Sequence, residues 1–380
     1  MIRVAVVSPE PTPYRAPLFD RLAREPDIDL TVLYAAHTVA ARQWSVELEH
    51  PALFLRGIQL PTSRVLKHDY PITPSVIPVL ARVRPDCVVV AGWSVFASQI
   101  AIAWARMHRV PYVVMSESHL LDRRPPWIRA LKRAMIPRVV ESASGFLVPG
   151  SLARDALVDY GADPARIRIF ANTVDVENYG AHVEALRRTT DDIRARFGIQ
   201  PGEVALLSVA RLHGIKGLDV LIRAAAAVDG AHVVLAGAGP DEAALRTLAC
   251  DLGTPVTFAG FLEGDRLTAA YAAADVFGLL SRSEPWGVAV VEAAAASLPL
   301  VLSSRVGAAR DLLRPFENGF LVPPEDVCAT VAALRELVAD AGLRARYGAR
   351  SSELASGWGY EASVHAFRAT VVEAVERGRH

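Results

Sequence analysis

The chain has 380 residues, with 41 Lys+Arg balanced against 41 Asp+Glu, so no global field recruits nucleic acid or a membrane surface and any such attraction must be local. Three cysteines, Cys87, Cys250 and Cys328, are widely spaced and odd in number, which argues against a disulfide framework or a metal cluster and predicts a reducing, cytoplasmic setting. The length suits two domains, each large enough to bury a core of its own.

From the first residue, short β-branched runs alternate with helical patterns, the signature of βαβ units around a parallel sheet buried on both faces. The predicted fold class is α/β. The apolar run Val4–Val7 breaks at Pro9 and Pro11, too early for a signal peptide. Strands are expected at 3–8, 30–34, 87–91, 112–116 and 145–148, with residues 37–74 irregular and surface-lying. The charge-free stretch 87–105 is nearly long enough for a bilayer, but Gly92, Ser94, Ser98 and Gln99 interrupt it. It reads as a strand, a turn and a packed helix. A second series of strands follows at 204–209, 232–236, 257–259, 276–280, 300–303 and 320–322, each with a helical stretch after it. The predicted division is a first domain over 1–175, a linker over 176–201 that holds a polar helical piece and runs up to the breaker Pro201-Gly202, and a second domain over 202–356. The last segment, 357–380, is a helix with no strand after it, free to pack back on the first domain.

The strongest chemical signal lies after the strand at 276–280. There the segment 287–298 carries Glu292 as its only charge among apolar residues. A carboxylate so placed is retained only when something donates to it, and ligand hydroxyls such as a ribose diol would serve. Upstream, Pro285 pushes Glu284 out of helical geometry and leaves it in a loop at the helix mouth. Backbone N–H groups near Gly287 and Val288 then face outward, where donors and dipole together stabilise a phosphate. The alternative is a salt-bridged core Glu292 and a solvated Glu284. After the strand at 204–209, Arg211 and Lys216 flank a Gly-containing turn at the carboxyl edge where open α/β sheets bind ligands, and two cations there suit a diphosphate.

These residues, with the Gly237-Ala238-Gly239-Pro240 turn, Phe258-Ala259-Gly260-Phe261 and Asn318-Gly319, resemble the family-4 retaining glycosyltransferases of GT-B architecture. The match runs in order through most of the second domain. It implies two Rossmann-like domains facing across a cleft, with a nucleotide-sugar donor held by the second. By that resemblance Arg211 and Lys216 hold the diphosphate and neutralise the leaving group, Glu292 binds the ribose, and Glu284 binds a hydroxyl of the transferred sugar. The Phe261–Leu262 turn contacts the base through its backbone, and Gly237 belongs to the donor site. The first half resembles the family less closely. Where members often carry a Gly-Gly pair, this chain has Pro9-Glu10-Pro11-Thr12-Pro13-Tyr14-Arg15, leaving Arg15 either as a phosphate or acceptor contact or as a helix-start charge. Many members place a histidine after the fourth strand of this domain. Here Glu117 and His119 are alternative candidates. Asn172-Thr173-Val174-Asp175 reads as a structural hinge-side turn.

Two signals are set aside. Asp27-Ile28-Asp29 matches a metal-binding pattern but opens a strand without a partner ligand. Gly237-Ala238-Gly239 follows a strand, but Glu242 stands where a nicotinamide fingerprint needs its third glycine. A basic amphipathic stretch over 123–138 is a candidate for peripheral membrane contact, against the alternative of a solvated helix packed by its apolar side. The expected function is metal-independent transfer, with retention, of a glycosyl group from a UDP- or GDP-type sugar to a hydroxyl acceptor that is a small molecule, a glycan or a lipid-linked sugar. The nucleotide sugar is a substrate, and no cofactor is expected. The rivals are a nucleotide-sugar epimerase and a non-catalytic nucleotide-binding protein.

Overall fold

The computed structural model describes residues 1–37, 46–58, 70–118, 135–188 and 190–378. The chain forms two compact units, Met1–Asn172 with Tyr360–His380, and Thr173–Gly359.

The first unit is built on a parallel sheet in the order β3-β2-β1-β4-β5-β6-β7. Its strands are β1 (Ile2–Ser8), β2 (Ile28–Tyr34), β3 (Ala52–Phe54), β4 (Cys87–Ala91), β5 (Tyr112–Met115), β6 (Gly145–Val148) and β7 (Ile167–Ile169). Central β1 pairs Val4 with Leu30 on one side and with Cys87 on the other. Its residues Val4 to Val7 are fully buried, as expected of a parallel strand covered on both faces. One face carries the helix Ala16–Leu22 and the terminal helix Tyr360–Gly378, whose Val364, Phe367 and Val371 enter the same core as Val4, Leu18 and Phe19. The other carries helices Val76–Val83 and Phe96–Met107. Thus 87–105 is a strand and a packed helix, and among the described residues no helix is long and apolar enough to cross a membrane.

The second unit holds a parallel sheet in the order β10-β9-β8-β11-β12-β13. These strands are β8 (Val204–Val209), β9 (Ala231–Ala236), β10 (Val256–Gly260), β11 (Val276–Leu279), β12 (Leu300–Ser303) and β13 (Gly319–Val322). Chain order runs outward from β8 in one direction and from β11 in the other. The β8/β11 boundary is therefore a topological switch point, where the loops at the carboxyl ends part and leave a crevice. In the first sheet the β1/β4 boundary has the same property.

Two expectations are amended. The edge strands β3 and β7 have three residues each, too few to show a period, and β3 lies inside the stretch read as irregular. Residues 176–201 hold two helices, Val176–Arg187 and Thr190–Arg196, where one polar helical piece was expected, and both belong to the second unit. In the first of these helices a Cβ at Gly180 would stand 2.8 Å from the Ala295 carbonyl oxygen, so the glycine lets one helix lie close to the end of another. Most of the basic stretch 123–138, and His119, lie outside the described residues.

Candidate active site

The donor-side candidates of the second unit gather at the β8/β11 switch point. After β8, His213 accepts a hydrogen bond from the Ile215 amide at 3.2 Å and starts the 3-10 turn Gly214–Lys216. Gly217 follows at φ +65°, and a Cβ there would sit 2.1 Å from the Leu280 carbonyl oxygen. Only glycine permits both the left-handed backbone and this contact with the end of β11. The turn thereby delivers Lys216 to the loop after β11, where its ammonium is ion-paired with Glu284. The two side chains are 22% and 13% exposed, so the pair is largely withdrawn from water. Arg211 is exposed and has no ion pair or hydrogen bond among the described residues.

A second clamp fixes this geometry. Arg282 donates to both carboxylate oxygens of Asp219 at 2.9 Å, to the Gly214 carbonyl and to Glu325, and its backbone amide donates to the Ile215 carbonyl at 2.7 Å. These bonds tie the loop after β8 to the loop after β11. The hydrogen bonds to Asp219 raise the Arg282 pKa further despite its burial. Sequence reading passed over Arg282 and Asp219, because a surface Arg and a helix-start Asp look ordinary until the switch point makes them neighbours.

Glu284 is held from beneath by the segment after β12. Its amide donates to the Arg305 carbonyl at 3.0 Å, and the Gly307 amide returns a bond to the Glu284 carbonyl at 2.9 Å. A Cβ at Gly307 would lie 2.0 Å from the Pro285 carbonyl oxygen, so glycine is required for this support. Gly287 then takes φ +100° and opens the helix Val288–Ala295. The Val290 amide closes on the Gly287 carbonyl at 3.0 Å, while the Val288 and Ala289 amides have no acceptor among the described residues. Such amides, at the positive end of the helix, suit an anion.

One turn into that helix, Glu292 is half-buried and accepts a hydrogen bond from the Tyr271 hydroxyl at 2.7 Å. Burial raises its pKa and this bond partly offsets the rise. Tyr271, fully buried in the helix Gly264–Ala273, is a partner that sequence reading missed. A single tyrosine in an alanine-rich stretch gave only a core signal.

Gly237 sits at φ +149°, where a Cβ would meet the Ala210 carbonyl oxygen at 2.0 Å, so it first of all allows the β9 loop to pass beneath Arg211. The turn after β10 places Leu262 in the core and leaves Phe261 40% exposed.

In the first unit, Arg15 is no free surface charge. It is ion-paired with Glu117, its Nε donates to Asn172 Oδ1 at 3.1 Å, and Asn172 Nδ2 donates to Glu117 at 2.7 Å. Three loops at the carboxyl edge of this sheet, after β1, β5 and β7, thus meet in one cluster. Asn172 joins it as well as marking the end of the unit, which extends the turn role read from its sequence. Glu10, 2% exposed, accepts from the Tyr70 hydroxyl at 3.1 Å and was not singled out by sequence. Asp27, read as a turn residue, receives two hydrogen bonds from Arg368 at 3.1 and 2.8 Å.

Two family models match the chain: a glycosyl transferase 4-like domain over residues 3–173 and glycosyl transferases group 1 over residues 189–353. Similar curated proteins include the sulfoquinovosyl transferase SQD2 of Arabidopsis thaliana, 29% identical over 78% of this chain and 58% of that protein. Another is the D-inositol 3-phosphate glycosyltransferase of Mycobacteroides abscessus, 32% identical over 64% of this chain and 54% of that protein. The chain spans a little over half the length of these relatives. Among solved structures, Anabaena HepE in complex with UDP aligns with a TM-score of 0.76 at 18% identity over 99% of this chain and 100% of that one. WaaG, a glycosyltransferase involved in lipopolysaccharide biosynthesis, aligns at 0.72 and 16% identity over 97% and 99%. At such identities these structures speak for the fold alone. With the two models side by side over most of its length and two parallel-sheet α/β units matching GT-B neighbours, the chain belongs to the family-4 glycosyltransferases of GT-B architecture.

Proposed function

We propose that this protein transfers a glycosyl group from a nucleoside-diphosphate sugar to a hydroxyl acceptor, with retention of anomeric configuration and without a metal ion. The observation that carries the reading is the convergence at one switch point of Lys216, Arg211, Glu284, Glu292 and the open amides of Val288 and Ala289. A nucleoside diphosphate sugar presents these groups with matching partners. Its diphosphate takes the two cations and the helix-start amides, its ribose hydroxyls donate to Glu292, and a sugar hydroxyl donates to Glu284. The Phe261–Leu262 turn would meet the base. HepE, which shares the fold, was solved with UDP and with UDP-glucose, so a UDP-type sugar is the first donor to test, with a GDP-type sugar beside it. Arg15 and Glu117 are the first unit's described candidates for substrate contact, and His119 remains a proposed one.

In the reaction the anomeric C–O bond to the diphosphate breaks while Arg211, Lys216 and the amides stabilise the charge that develops on the leaving group. One such donor is typically worth about 10²- to 10³-fold in rate. The acceptor oxygen forms the new C–O bond on the same face, and its proton passes to a phosphate oxygen of the departing diphosphate. The front-face route needs no nucleophile from the protein.

The test is incubation with a panel of nucleotide sugars and hydroxyl acceptors, read by NDP release and by the anomeric configuration of the product. Release should occur with retention, should survive chelation, and should be lost in folded Lys216→Ala and Glu292→Ala. An epimerised donor without NDP release, or donor binding with no turnover under any acceptor, would overturn the assignment.

A further inference from the structure

The proposed ribose carboxylate has a partner of its own. Tyr271 lies in the helix Gly264–Ala273 with its ring stacked on Phe277 at 6.1 Å and 26°, and its hydroxyl is 2.7 Å from Glu292 Oε2 and 3.3 Å from the Ala289 carbonyl. A hydroxyl has one proton to donate. The shorter, charge-assisted bond to the carboxylate takes it, and the longer contact to Ala289 is the alternative if the carboxylate becomes protonated. Oε1 of Glu292 accepts nothing among the described residues. The carboxylate is thus fixed by one oxygen and open at the other.

We propose that Tyr271 is a positioning residue for donor binding: by donating to Oε2 it orients Glu292 and keeps it an acceptor, so that Oε1 is presented to the hydroxyls of the nucleotide's ribose. This rests on the reading of Glu292 as the ribose site. A protonated Glu292 would itself be a donor and would meet a diol with one acceptor fewer. Anything that makes protonation easier therefore weakens the site on the acid side.

The titratable groups facing Glu292 are few. Tyr271 reaches it from the helix Gly264–Ala273, and Tyr179 from the helix Val176–Arg187, with its ring edge-on to Tyr271 at 5.9 Å. Tyr179 forms no hydrogen bond to Glu292 among the described residues, and burial, then the charge of Glu292, raise its pKa. No arginine, lysine or second carboxylate on the packed helices Val176–Arg187, Ala309–Leu312 and Ala341–Ala355 or on β11 and β12 perturbs Glu292. Burial pushes its titration up and the Tyr271 bond opposes that rise.

The experiment measures UDP and GDP affinity by calorimetry from pH 5.5 to 8 for wild type, Tyr271→Phe and Tyr179→Phe, with the 2′- and 3′-deoxy nucleotides alongside. Loss of one charge-assisted hydrogen bond moves a carboxylate's titration up by roughly one pH unit. Tyr271→Phe should therefore bind within about threefold of wild type at pH 8 and fall progressively further below it towards the acid end, by up to about tenfold, and Tyr179→Phe should follow wild type. In a Glu292→Gln background, where nothing titrates at this position, Tyr271→Phe should add no pH dependence. If Tyr271→Phe fails to fold, 3-fluorotyrosine at 271 keeps the ring and hydroxyl, donates more strongly, and should shift the acid limb the opposite way. A Tyr271→Phe curve superimposed on wild type, or equal shifts in both phenylalanine variants, would overturn the proposal while leaving the ribose site standing. A wild type that ignores the deoxy substitutions, or binds no nucleotide, would overturn the reading beneath it.

Discussion

The Lys216–Glu284 pair permits a test in which stability depends on both partners together while ligand binding depends on the lysine alone. Lys216→Ala leaves a carboxylate that is 13% exposed without its cation. Stripping one partner from a fully buried pair costs about 3–5 kcal/mol, and exposed pairs are worth about 0–1. With the lysine 22% exposed, some screening remains and the cost should be about 1–2 kcal/mol. For a domain of this size that is roughly a 2–8 °C fall in Tm. Removing both charges in Lys216→Ala/Glu284→Ala should recover most of the fall, giving a coupling of similar size in the double-mutant cycle. Nucleotide binding should behave differently. A diphosphate must take Lys216 from Glu284, so Lys216→Ala should weaken NDP binding at least about tenfold, the scale of one charge-assisted contact. Glu284→Ala should leave NDP affinity unchanged or raise it, because the competing carboxylate is gone. Circular dichroism melts and calorimetry with NDP, which needs no acceptor, measure both. If Lys216→Ala keeps its Tm, or if Glu284→Ala loses NDP affinity as Lys216→Ala does, the ion pair is not the gate described.

The clamp between loops has a signature in pH. Burial pushes the Asp219 carboxyl up, but the hydrogen bonds and charge of Arg282 outweigh it and set the folded pKa below the ordinary 3.8. A depressed carboxylate adds stability that is complete above 3.8 and is lost as pH falls through the lower folded value. The acid-side decline of wild-type Tm should therefore be shallower in Asp219→Asn, which is less stable at neutral pH and converges on wild type below pH 3.8; parallel curves would refute the linkage. In the first unit, Phe367→Ala removes a fully buried ring from the core shared by the terminal helix and β1, and should cost about 3–5 kcal/mol in chemical denaturation. A loss under 1 kcal/mol would mean that the helix contributes little to that core.

The two-sheet plan was legible because parallel strands buried on both faces are written as apolar runs, and eleven such runs stand in order along the chain. What escaped was short or masked by composition. β3 and β7 have three residues each, below the length at which alternation or continuity carries information. The helix Val176–Arg187, expected as a polar helical piece, keeps Val176 and Val183 buried among polar neighbours, and only its packed surroundings show that Gly180 serves close approach.

At the site the limit was separation along the chain. Glu284 and Glu292 lie on one loop and the helix it opens, and Arg211 and Lys216 on one turn, so their grouping follows from local geometry alone. The partners that make them work do not. Tyr271 is 21 residues from Glu292, Arg282 is 63 from Asp219, and Arg15 is 157 from Asn172. Each of these pairs joins loops or helices made neighbours by strand order, and strand order reverses at β8/β11 and β1/β4. A candidate site residue can therefore be read from its own segment, whereas the group that holds it is read only once the switch point is located. That division has a physical basis. A carboxylate or cation aimed at solvent needs only a loop to present it, but one fixed to a single orientation needs a second element to hold it, and at a switch point that element comes from the other wing of the sheet.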